Sequence, residues 1–145
     1  MRHNCVAKKF GRSMAHRKAL MRNMVTNLVL QESIITTTPK AKQARRDAEK
    51  LVTMARKGTL ASRRNIAAFL MDPDAVRKMI DVIVPAMEGR KGGYTRILKL
   101  GTRRGDAAER CVFQWVVMPS RKEPEAASKA ESAPAEGTAE AQPQA

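Results

Sequence analysis

The chain has 145 residues, enough for one domain of ordinary size plus a tail but too few for two full hydrophobic cores. Its 28 Lys and Arg against 14 Asp and Glu give a formal charge of +14, whose self-repulsion is offset by dense counterions or an acidic partner, for which nucleic acid is the obvious candidate. No run approaches the roughly 18 apolar residues of a bilayer span and Met1 opens no apolar signal segment, so an intracellular, non-membrane protein is expected.

The first acid is Glu32, and Arg2, Lys8, Lys9, Arg12, Arg17, Lys18 and Arg22 all precede it. Arg2 to Arg12, with Gly11 as a flexible point and little apolar periodicity, reads as an extended arm over residues 1–12 that orders against phosphates. Ser13 can cap a helix over 14–30, whose apolar residues Leu20, Met21, Met24, Val25, Leu28 and Val29 recur at three- and four-residue spacing. Lys18 and Arg22 share another face of that helix, Arg17 lies beside it, and Asn23 and Asn27 add polar groups near its boundary.

SIITTT, residues 33–38, is short and β-branched and predicts a strand. Thr38-Pro39 then starts a second helix, with Thr38 as cap and Pro39 where a missing N–H costs nothing. Ala41, Ala44, Ala48, Leu51, Val52 and Ala55 form its inner stripe and Gly58 its stop, while Lys42, Arg45, Arg46 and Lys50 decorate the outside. A short helix follows over 60–71, with Ile66, Phe69 and Leu70 inward and Arg63 and Arg64 outward. Asp72 caps the next one, Pro73 begins it, and Pro85 ends or kinks it.

Gly92-Gly93 before Tyr94 permits a left-handed turn or a close backbone approach to a partner. Strands over 94–100 and 110–118 form a hairpin in which Cys111, Phe113, Trp115 and Val117 oppose Val112, Gln114 and Val116. The order α-β-α-α-α-β-β, with helices on the apolar face of a three-stranded sheet, is a two-layer α+β domain over residues 13–120. Residues 1–122 carry 27 Lys and Arg against nine Asp and Glu, whereas 123–145 hold one Lys and five Glu. With eight Ala, three Pro and no large apolar anchor, that end reads as a disordered acidic tail, residues 121–145.

Catalysis finds little support in these residues. His3 and His16 have no neighbouring carboxylate to make a general base, and Ser13 is better explained as a cap than as a nucleophile. Cys5 and Cys111 show neither CxxC spacing nor partner histidines, so no structural disulfide, metal or cofactor is expected. An RNA-binding structural protein accounts best for basic clusters spread over several elements; a DNA-architectural protein and a basic protein-interaction module are the alternatives. Charge alone does not separate RNA from DNA, because phosphate attracts cations in both.

Four motifs sharpen the reading. MRH at 1–3, GRSMAHRKALMRNM at 11–24, TTTPKAKQARR at 36–46 and GGYTRILKLGTRRGDAA at 92–108, in this order and spacing, resemble the seventeenth family of bacterial large-subunit ribosomal proteins over about residues 1–118. Met14 departs from the family's small polar run, and the Cys111-to-Trp115 strand is bulkier than its typical end strand.

The resemblance implies a non-enzymatic constituent of the large subunit that binds its major ribosomal RNA near the polypeptide exit region. It also implies a cytoplasmic, ribosome-bound monomer beside neighbouring ribosomal proteins. His3, Gly11, Arg12, His16, Arg17, Arg22 and Asn23 match the N-terminal pattern, and Thr38 to Lys42 the central turn. The leading RNA ligands are then Arg2, Lys8, Lys9, Arg12, Arg17, Lys18 and Arg22, with His3, His16 and Asn23 beside them. Lys40, Lys42, Arg45 and Arg46 form a second cluster, and Tyr94, Arg96, Arg103 and Arg104 a third.

Overall fold

The computed structural model describes residues 8–118. Helix α1 spans Met14–Gln31, strand β1 Ser33–Thr37, helix α2 Thr38–Ala55 and helix α3 Leu60–Leu70. Helix α4, Pro73–Lys78, runs on through a π-helical turn at Met79–Ile83 into a last helical turn at Val84–Ala86; strands β2, Thr95–Thr102, and β3, Glu109–Trp115, complete the chain order. The expected α+β order is therefore present, with differences at element ends. The cap position of α2 is Thr37, one residue earlier than expected, and its side chain makes no capping hydrogen bond. Pro85 neither ends nor simply kinks its helix: the ladder widens ahead of it, and Val84 N–H donates back to Met79 O, easing the clash a proline ring makes with the preceding turn.

Local chemistry sets the other helix ends. Ser13 Oγ accepts from His16 N at the start of α1, Thr59 from Ser62 N at α3, and Asp72 Oδ1 from Asp74 N at α4. Glu32 and Met71 take left-handed backbone at the ends of α1 and α3, a conformation usually left to Gly or Asn. That is why the sequence shows no obvious stop at either place.

The sheet is antiparallel, ordered β1-β3-β2. Ser33 pairs with Gln114 and Thr37 with Arg110 on one side of β3, and Thr95 pairs with Trp115 on the other. A bulge at Leu100 shifts the β2 register between Lys99 and Gly101. Cys111, Phe113 and Trp115 point into the core as expected, where they meet Val25, Leu28 and Val29 of α1 and the Ala stripe of α2. The small Ala41, Ala44 and Ala48 are fully buried and let α2 lie close to its neighbours. The opposite sheet face carries the cross-strand row Ile35, Val112 and Leu98, with Ile35 68% exposed. Cys111 is a buried free thiol, and its burial pushes the thiol pKa up.

Candidate nucleic-acid interface

The cations expected from α1 and α2 meet on one side of the helical layer. Arg17, Lys18 and Arg22 come from α1, where Lys18 and Arg22 stand one turn apart, and they line an open cleft with Met14, Met21 and Phe69. Gln43 and Asp47 of α2 complete it, and its volume is about 440 Å³. A second cleft of about 350 Å³ at the start of α2 is lined by Lys8, Lys42 and Arg46 together with Pro39 and Glu109. Gln43 lines both. Two clusters far apart in sequence thus form one basic surface, reinforced by the positive end of α2.

Lys8 and Lys9 are exposed and enter this surface through a tight turn. Arg12 N–H donates to Lys9 O at 3.1 Å, with Phe10 and Gly11 both at positive φ. The Arg12 guanidinium donates to Phe10 O at 2.8 Å, while the Phe10 ring packs on the core. The described end of the expected arm is therefore held to the body by an apolar anchor. Arg2 and His3 lie outside the described residues, as does the acidic tail.

Other predicted ligands are placed differently. Arg45 Nε donates to Glu49 Oε1 at 2.9 Å, and that carboxylate also accepts from the Thr95 hydroxyl at 3.0 Å, so Arg45 belongs to a lattice tying α2 to β2. Arg103 forms two hydrogen bonds to Asp106, which hold the Asp106 carboxyl well below its usual range. Arg96 donates to the Gln114 side-chain oxygen once that amide is oriented with its oxygen toward the guanidinium. Arg104, His16 and Asn23 are exposed, and Lys40 is half-buried.

Tyr94, named above among the RNA ligands, lies in the core. It is 2% exposed, and its hydroxyl accepts from Arg56 Nη1 at 3.0 Å and lies 3.4 Å from Arg90 O. The ring fills the core from a position just ahead of strand β2, which begins at Thr95 rather than Tyr94. Gly93 before it sits at φ +62 with open space where a Cβ would stand, so the glycine serves the left-handed turn.

Three features were missed in the sequence. Phe69, read as inward, is partly buried and lies under Arg22, whose guanidinium carbon is 5.8 Å from the ring centroid. Asp47 is half-buried in the cationic cleft, and burial raises its carboxyl pKa against the opposing pull of Lys50 and Arg46. Arg63 and Arg64 share a third cleft with Arg77. Spacing along one helix carries no signal for such contacts between helices.

A basic two-layer α+β protein with its cations gathered on helices beside an antiparallel sheet is the class that fold and surface define. Residues 20–116 match the family described as ribosomal protein L17, and the chain belongs to that family. It is 51% identical over 109 residues to the large ribosomal subunit protein bL17 of Desulforamulus reducens, covering 75% of this chain and 97% of that protein. It is 46% identical over 116 residues to the bL17 of Fusobacterium nucleatum, covering 80% of this chain and all of that protein. It is also 41% identical over 137 residues to the bL17 of Koribacter versatilis, covering 92% and 85%. The family is a structural one, and the protein is a structural component rather than an enzyme. No described helix is long and apolar enough to cross a membrane.

Proposed function

We propose that the protein, as a constituent of the bacterial large ribosomal subunit in the cytoplasm, binds and stabilises the major ribosomal RNA of that subunit. The observation that carries the reading is the basic surface on which Gln43 joins Lys8, Lys42 and Arg46 to Arg17, Lys18 and Arg22. Cations drawn from three segments and fixed by folded helices match a phosphate backbone that curves over a surface better than a single flexible patch would. Residues 1–12 extend this surface as an arm anchored at Phe10, with Arg2 and His3 reaching further RNA. Residues 121–145 form an accessory acidic tail. The Fusobacterium relative is matched over its whole length by 80% of this chain, in keeping with an accessory extension.

Placement near the polypeptide exit region rests on the family motifs. Neighbouring ribosomal proteins complete its surroundings, and no membrane or cofactor is required. The test is salt-stringent fractionation of a tagged chain followed by RNA crosslinking. Co-sedimentation with the large subunit, with crosslinks from Lys8, the basic face of α1 and Lys42 to Arg46 into its major RNA, is the expected result. Crosslinks chiefly to DNA after nuclease controls, or sedimentation as a free protein, would overturn it.

A further inference from the structure

An acid does not belong on a surface built only for phosphate, and Asp47 lies inside the larger cleft of that surface. The carboxylate makes no hydrogen bond or close ion pair among the described residues. Lys50 and Arg46 of its own helix draw on its charge without closing a hydrogen bond, and the cleft it lines also holds Gln43, the apolar Met14, Met21 and Phe69, and the cations Arg17, Lys18 and Arg22. A phosphate entering beside Asp47 would meet like charge. A ligand that leaves its phosphate on the arginines and presents N–H donors to the carboxylate meets neither repulsion nor an unpaired acceptor.

The bases can be ranked by that requirement. Guanine alone carries two adjacent donors, N1–H and the N2 amino group, on one edge, and they match the two oxygens of a carboxylate. Adenine and cytosine place a ring acceptor beside their amino group, and uracil flanks its single N–H with carbonyls, so each would set a lone pair against Asp47. The apolar side chains and the Phe69 ring offer the dry contact an unstacked base needs, and about 440 Å³ lies within the range of small-ligand clefts, roughly 300–1,000 Å³.

We infer that this cleft receives a single unstacked guanine of the bound RNA, with Asp47 accepting from its N1–H and N2 amino group and Arg17, Lys18 and Arg22 holding the adjoining phosphates. The inference rests on the RNA-binding reading above and adds a base-specific site to it.

The test measures the full chain against the RNA heptamers UUUGUUU, UUUAUUU and the same sequence with central inosine, by fluorescence anisotropy at several salt concentrations. Guanosine is expected to bind about tenfold more tightly than adenosine, with inosine, which lacks the N2 amino group, in between. Asp47→Asn, checked for an unchanged fold by its melting curve, is expected to lose most of that preference while binding all-uridine RNA at least as well as before. Equal binding of the three heptamers, or a guanosine preference that survives Asp47→Asn, would overturn the inference. Equal binding with a steep salt dependence would leave the RNA-binding reading standing; no binding to these or to ribosomal RNA would remove both.

Discussion

Lys78 Nζ lies 2.9 Å from Glu32 Oε1 and donates to Leu30 O at 2.7 Å, so a cation on α4 closes the end of α1. Helix α1 has no basic residue in its last turn, and its final carbonyls have no partner within the helix. Lys78 supplies the positive charge that a helix C-terminus favours, and Trp115 Nε1 donates to Leu28 O at 3.1 Å on the same last turn. Glu32 holds left-handed backbone there with its side chain only 3% exposed. Two elements distant in sequence, α4 and β3, thus finish one helix.

Lys78→Met removes this charge while keeping most of the apolar stem. It is expected to destabilise the fold by about 2–3 kcal/mol, because Glu32 would keep its burial and lose the Lys78 ammonium. Urea unfolding measures this as a lower midpoint at unchanged slope, and adding Glu32→Gln should recover part of the loss. A midpoint that does not move would mean that the pair contributes nothing net.

Trp115→Phe keeps an aromatic ring in the core but strips the donor from Leu28 O. A buried carbonyl left without its partner costs about 1–3 kcal/mol, visible as a lower melting temperature with little change in native circular dichroism. A loss smaller than this would show that the carbonyl finds another donor on relaxation.

Most of the fold was legible in the sequence because its signals are local. The Ala stripe of α2, Asp72-Pro73 and the alternation of Cys111, Phe113 and Trp115 each depend on spacing within one element. The left-handed ends at Glu32 and Met71 were not legible, since those residue types disfavour the conformation that closes each helix. For the site, charge revealed which residues were cationic but not which cations were already engaged. Arg45 is held by Glu49 and Arg103 by Asp106, both within one helical turn or one hairpin, whereas Arg22 over Phe69 and the cleft that Asp47 shares with Arg17 depend on how helices pack.

Met71 offers a test of what that left-handed helix end costs. It is exposed at φ 62, where a side chain costs about 1 kcal/mol that glycine avoids. Met71→Gly is therefore expected to raise the melting temperature by a few degrees, read by calorimetry. A drop would mean that the Arg22 contact to the Met71 sulfur, at 3.6 Å, outweighs the backbone strain.

Asp47 gives a pH-dependent signature. Burial raises its carboxyl above the ordinary 3.8, so the folded chain binds that proton more tightly than the unfolded chain. The favourable contribution is present below 3.8 and is lost as pH rises through the raised value, leaving a small penalty at neutral pH. Asp47→Asn is expected to flatten this segment of the stability profile and to gain up to about 0.5 kcal/mol at pH 7. Urea midpoints measured from pH 3 to pH 7 would show it, and parallel profiles for the two proteins would contradict it.

The location of the RNA surface can be separated from bulk charge by two triple variants of equal charge change. Lys8, Lys42 and Arg46 line the cleft that Gln43 joins to the α1 cations, whereas Arg63, Arg64 and Arg77 line a different cleft, between α3 and α4. Replacing the first three by Gln is expected to lower the salt slope of ribosomal RNA binding by about 2–3, one increment of roughly 0.7–0.9 for each phosphate contact removed. Replacing the second three should weaken binding through the general field alone and change that slope by less than about 1. Filter binding of the full chain to ribosomal RNA between about 50 and 200 mM salt covers the range in which such slopes are well defined. Equal slope losses from the two variants would mean that net charge governs binding, and a larger loss from the second would move the main RNA surface to α3 and α4.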